Sequence, residues 1–137
     1  MIALITCIGF LCACTKSIAP GAEDDDSSYI KLSDCADSTF AGETVRLCFD
    51  SVVADSRCPK NVICIWQGAA VGKFTFTKLA ETHTLTLATI TSGPAFRKDT
   101  TISGYKIELL DLIPYPETPG SAPPSAEVKA KVKITKL

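Results

Sequence analysis

Alternation of apolar and polar side chains with a period of two runs through most of the chain beyond Tyr29. Val45, Leu47 and Phe49 alternate with Arg46, Cys48 and Asp50, and Phe74 and Phe76 alternate with Lys73, Thr75 and Thr77. His83, Leu85 and Leu87 alternate with Thr82, Thr84 and Thr86. Val128, Ala130, Val132 and Ile134 do the same with Lys129, Lys131, Lys133 and Thr135. Successive side chains of a β-strand point to opposite faces, so each run offers one dry face and one wet face. β-branched Thr and Val suit such half-buried pleats.

Two shorter candidates, 29–33 and 100–102, and the run 105–113 complete the set. In the last of these Tyr105, Ile107 and Leu109 share a face, then Leu110 and Leu112 take the other phase, which a β-bulge or burial on both faces would explain. No window holds sustained helical spacing, and residues 54–61 are predicted to form a single helical turn at most. About seven strands in roughly 110 residues predict an all-β fold, an antiparallel sandwich or barrel, with the sandwich favoured. Immunoglobulin-like connectivity is the leading topology, although the Cys-Trp-Cys spacing of true immunoglobulin domains is absent. The Lys row of the terminal strand is read as protection of a sheet edge. Five of the eight prolines lie between Ile113 and Ser125, a stiff exposed connection before that strand.

Ahead of the domain, residues 1–13 form a nearly unbroken apolar run. At about 1.5 Å per residue it would span some 20 Å, short of a bilayer core about 30 Å thick, which suits a signal-peptide h-region. The run ends in Leu11-Cys12-Ala13-Cys14, which resembles the lipobox of bacterial lipoproteins. The resemblance implies cleavage before Cys14, acylation of Cys14, and attachment of the protein to the bacterial cell envelope, with the outer membrane favoured. Residues 14–28, with Pro20, Gly21 and the run Glu23-Asp24-Asp25-Asp26, read as a solvated tether, leaving 29–137 as the β-sandwich domain.

Export fits the cysteines. Of seven, Cys7, Cys12 and Cys14 precede the domain and four lie within it. An even number behind an export signal predicts disulfides. Four cysteines allow three pairings, and Cys58–Cys64 with Cys35–Cys48 is favoured, because Cys48 sits on the polar face of its strand where an N-terminal strand can lie alongside.

The most distinctive stretch is Asp55-Ser56-Arg57-Cys58-Pro59 followed by Cys64-Ile65-Trp66-Gln67-Gly68. This D-S-R-C-P…C-x-W-x-G pattern, with the later Tyr105-x-Ile107-x-Leu109 strand running into Pro114-Tyr115-Pro116, resembles that of a group of small bacterial envelope lipoproteins. The resemblance brings no activity with it. On their own chemistry, Asp55 and Arg57 flank the ring and can cap or pair, Trp66 can fold back as an apolar plug, and Gly68 can turn the chain into the next strand. Two readings follow: a structural corner, or a recognition loop of Pro59, Lys60, Asn61, Val62 and Ile63 held ready by its disulfide.

Several functions are disfavoured at this level. A formal net charge of −1 and the lack of a basic stripe interleaved with aromatics argue against nucleic acid. No cofactor, metalloprotease or nucleophile-elbow motif is present, and His83 is the only histidine. Metal binding by Cys58, Cys64 and His83 is disfavoured by the spacing and by an oxidising compartment. The expectation is a non-catalytic module tied to the membrane through Cys14, without metal or cofactor, that serves structure or protein interaction. The alternative is a carbohydrate or small-ligand binder stacking its ligand on Trp66, Tyr105 and Tyr115.

Overall fold

The computed structural model describes residues 27–137, so the segment expected to be a signal peptide, Cys14 and the acidic run lie outside the described residues. The strands are β1 (Ser27–Lys31), β2 (Cys35–Phe40), β3 (Glu43–Asp55), β4 (Ala70–Lys78), β5 (Glu81–Ala88), β6 (Asp99–Ile102), β7 (Tyr105–Ile113) and β8 (Lys129–Lys136). They form two four-stranded antiparallel sheets, ordered β1-β8-β7-β6 and β2-β3-β4-β5. The all-β sandwich expected from the alternation is therefore the fold, with eight described strands rather than about seven.

The alternating runs supply the core. Val45, Leu47, Phe49, Phe74, Phe76, Leu85 and Leu87 from one sheet meet Tyr105, Ile107, Leu109, Ala130, Val132 and Ile134 from the other. Phe49 and Phe74 stack with centroids 5.0 Å apart, and Tyr105 packs at a tilt between Phe40 and Phe76. Each such large side chain, fully buried, contributes about 1.5–3 kcal/mol through desolvation.

Three expectations need correction, and one strand is additional to those expected. Each sheet is built largely from chain neighbours, with β1 alone carried across to pair with the last strand, so the interleaved order of immunoglobulin domains is not the order seen. The Lys row of β8 protects no edge: β8 lies between β1 and β7, and its lysines line the solvent face of an interior strand. Over 54–61 only the hydrogen-bonded turn that begins at Pro59 forms, because β3 continues to Asp55 and Ser56 and Cys58 then pair with the returning limb. β2 was the strand not foreseen: its segment C-A-D-S-T-F has no apolar stripe and no buried residue. It is held by its register against β3, in which Cys35 lies directly opposite Cys48.

Two local features aim side chains at one end of the sandwich. A register shift between Leu109 and Asp111 puts Leu109 and Leu112 both inward and turns Asp111 out. It realises the bulge that the phase break in 105–113 suggested. Two further shifts, between Phe49 and Ser51 and between Val52 and Ala54, bend β3 so that it delivers Asp55 to that same end. At the opposite end β6 and β7 are joined by Ser103 and Gly104, both at positive φ (50° and 82°), as the tightest hairpin connection requires.

Candidate functional site

The segment between β3 and β4 carries the distinctive motif and is built in three tiers. At its base the two limbs pair: Ser56 donates its backbone N–H to the Ala69 carbonyl at 2.8 Å, and Cys58 donates to the Gln67 carbonyl at 3.0 Å. Gly68 makes this approach possible. Its φ is +69°, and a Cβ placed on it would lie 1.8 Å from the Ser56 carbonyl oxygen. Above the base the Cys58–Cys64 disulfide closes the ring, with Cα atoms 6.0 Å apart, and Cys35–Cys48 forms across β2 and β3. Both pairings are those expected. Within the ring, Val62 donates to the Pro59 carbonyl at 3.2 Å, making a tight turn.

The middle tier is a clamp centred on Arg57. Its side chain is 4% exposed and that of Asp55 is 11% exposed. Arg57 donates Nε to Asp55 Oδ1 at 2.9 Å and Nη2 to Asp55 Oδ2 at 2.6 Å, a bidentate pair. Nη1 donates to the Leu112 carbonyl, and Nη2 also donates to the Pro114 carbonyl at 3.0 Å. The guanidinium carbon lies 4.3 Å from the centre of the Tyr115 ring. Tyr115 in turn donates its hydroxyl to Asp111 at 3.3 Å, and burial, aided by the Asp111 charge, pushes its phenol above the ordinary range. Arg57 thus ties the motif to the proline-rich connection after β7, across 57 positions of sequence.

The upper tier is exposed and apolar. Ile63 and Ile65 are fully exposed, Trp66 is 58% exposed and Val62 is 42% exposed. Of the eight large hydrophobic residues exposed among the described residues, four fall within the five positions 62–66, so the exposure is concentrated rather than scattered. Trp66 is not the plug expected of it: a ring of seven residues encloses no interior in which an indole could be buried. Lys60 and Asn61 are exposed beside it, with the Lys60 ammonium 5.5 Å from the Tyr115 ring centre, whereas Pro59 is buried.

The aromatic trio does not assemble. Tyr105 is buried in the core, its hydroxyl spent on Glu43, and cannot serve as a stacking platform. Tyr115 is half-buried with one face covered by Arg57. Of the three, only Trp66 presents an open ring. Next to the clamp, Leu32, Val52, Leu112, Pro114, Pro123 and Val128 line a mostly apolar cleft of about 320 Å³. His83 lies on β5 opposite Phe76, away from the two ring cysteines, which are bonded to each other. Among the described residues no group of three or more His, Cys, Asp or Glu side chains converges as a metal cage would.

A second polar cluster, which the sequence did not reveal, closes the far end of the sandwich. Tyr105 donates its hydroxyl to Glu43 Oε2 at 2.5 Å, while Lys78 lies 3.1 Å from Oε1 and Lys136 lies 3.2 Å from Oε2. The Tyr105 hydrogen bond, followed by those from Lys78 and Lys136, pulls the Glu43 carboxyl down to about 2. The same bond to Glu43, with burial, pushes the Tyr105 phenol up to about 12. Glu43 and Lys78 belong to one sheet, Tyr105 and Lys136 to the other, so this cluster latches the two sheets together.

Comparison with protein-family models, with curated proteins and with solved structures found no match.

Proposed function

We propose that this protein is a non-catalytic module, held on the bacterial envelope by a lipid on Cys14, that docks through the loop between Cys58 and Gln67. The observation that carries this reading is the build of the loop: apolar side chains displayed at its tip, a disulfide across its neck, and a buried Arg57–Asp55 clamp at its root. A loop already fixed in one shape gives up little conformational entropy when it binds. A cluster of exposed apolar side chains, with both isoleucines bare and an indole more than half exposed, is the usual mark of a contact surface. Support for a non-catalytic role comes from the cysteines and His83. All four cysteines of the domain are spent in disulfides, and among the described residues the one carboxylate within 4 Å of His83 is Glu81, at 3.9 Å.

A photo-crosslinking side chain in place of Ile63, introduced into the full chain in its own cells, tests the docking reading. Reproducible adducts at position 63, and none from the same probe at exposed Thr84 on β5, are expected. Equal labelling at both positions, or none at 63, refutes it. The small-ligand reading is kept for one observation, the apolar cleft beside the clamp. At about 320 Å³ it lies at the lower bound of ligand pockets, and a fragment screen by protein-observed NMR would show shifts confined to its lining if that reading holds.

A further inference from the structure

We infer that the surface the loop docks on is a lipid bilayer, with Ile63 and Ile65 entering the acyl boundary, Trp66 lying at headgroup level and Lys60 meeting the phosphates. The inference deepens the docking reading above and rests on it. At the tip the two isoleucines are fully exposed and stand free of the body of the domain. A bilayer accepts a projecting apolar knuckle without needing a complementary groove. The order of side chains is that of interfacial segments generally: aliphatic groups at the tip, an indole beside them and a cation at the flank. Indole is amphipathic and prefers the zone where one edge is dry and the other wet.

Charge points the same way. From Ser56 to Ala80 there is no Asp or Glu, and Lys60 is the only charged side chain between Cys58 and Gly72. Within the loop's own sequence, then, an anionic lipid surface meets one attractive charge and no carboxylate. The reach is sufficient as well. Twelve residues separate Cys14 from β1, which at about 3.3 Å each span up to about 40 Å. The nine-residue strands β4 and β7 are about 30 Å long, so an anchor at Cys14 leaves the loop free to touch the same membrane from any side of the sandwich.

The chain holds a single tryptophan, Trp66, and this makes the inference directly readable. The full acylated chain is reconstituted on vesicles of phosphatidylethanolamine and phosphatidylglycerol, and Trp66 emission is followed with brominated lipid as the membrane quencher and iodide as the aqueous one. A blue shift, quenching by shallow bromine and protection from iodide are expected. Ile63→Asn with Ile65→Asn should return both quenching ratios to those of the protein in solution, while circular dichroism stays unchanged. The Cys14→Ser chain should still partition onto anionic vesicles, with affinity falling about tenfold for each isoleucine replaced. A wild-type chain that floats with the vesicles while Trp66 stays open to iodide overturns the lipid partner and leaves the anchor standing. A wild-type chain that does not float overturns both. Trp66 quenched in the Cys14→Ser chain, with no acyl mass found on the native protein, removes the anchor and keeps the loop.

Discussion

Replacing Asp55 by Ala should destabilise the fold out of proportion to the size of the side chain removed. Arg57 would keep its charge inside a site where it is 4% exposed, with the bidentate acceptor gone and Asp111, 3.8 Å from Nη1, as the nearest remaining carboxylate. Breaking a buried pair from one side typically costs about 3–5 kcal/mol, because a charge is left without compensation. For a domain whose total stability lies within about 5–15 kcal/mol, that is a large share. With a urea slope of about 1.5 kcal/mol per molar, the midpoint of unfolding should fall by about 2 M or more at unchanged slope. The Arg46–Asp37 pair on the outer face, with both side chains roughly half-exposed, is the internal control: Asp37→Ala should barely move the midpoint.

The double replacement Asp55→Leu with Arg57→Met asks what the clamp consists of. Apolar residues of similar volume in place of a buried ion pair are often neutral or stabilising. Here Arg57 also serves the Leu112 and Pro114 carbonyls, and the double variant strips both of their donor. Each orphaned carbonyl costs about 1–3 kcal/mol, so the double variant should stay destabilised by several kcal/mol. A double variant as stable as the parent would show that the carbonyl contacts contribute nothing and would refute the clamp as a device for fixing the loop.

Three further outcomes follow from the same geometry. Replacing both cysteines of one pair by Ser should lower stability by about 2.4 kcal/mol for the Cys58–Cys64 ring and about 3.0 kcal/mol for the longer Cys35–Cys48 ring, measured by urea unfolding in the absence of reductant. Glu43 has a folded pKa of about 2 against an ordinary 4.5, so its stabilising contribution is complete above about pH 4.5 and is lost as pH falls through 2. Stability measured from pH 5 down to pH 2 should therefore drop more steeply in the parent than in Glu43→Gln. Gly68→Ala, which forces a Cβ onto the Ser56 carbonyl at a positive φ, should cost well over the roughly 1 kcal/mol expected for Gly93→Ala, where the space is open.

Much of the fold was legible in the sequence because each alternating strand stores its own evidence locally. Val45 to Phe49, Phe74 to Phe76 and Val128 to Ile134 each reveal their dry face within a few residues, and the disulfide pairs followed from spacing and strand phase. Tyr105 shows a signal that was present and outweighed: it shares its phase with Ile107 and Leu109, which places it in the core, yet its phenol suggested a surface role. β2 and the Glu43 latch were not legible for a physical reason. β2 has no apolar period and takes its register from β3, and the latch joins residues up to 93 positions apart. Likewise the partner of β8 is β1, from the other end of the chain, and no local pattern in a Lys row says whether its strand is an edge.

The motif around the ring suits two descriptions, a corner that staples strands and a displayed loop, and the structure gives each to a different tier. Stapling is done below the disulfide, by Ser56 with Ala69 and by Arg57 with Asp55 and the carbonyls after β7. A corner needing only stability would end there, with its apolar residues turned inward, where each fully buried isoleucine gains about 1.5–3 kcal/mol. Ile63 and Ile65 face wholly outward instead, and Val62 and Trp66 are only partly covered, so most of that gain is not collected in the free protein. It becomes available only when something covers them, and the clamp and disulfide ensure that covering them requires no reordering of the chain. The buried Arg57 is therefore best understood as a positioning residue for the tip. Loosening it by Asp55→Ala should weaken vesicle partitioning even at denaturant-free temperatures where the sandwich itself stays folded, an effect that a purely structural corner would not transmit.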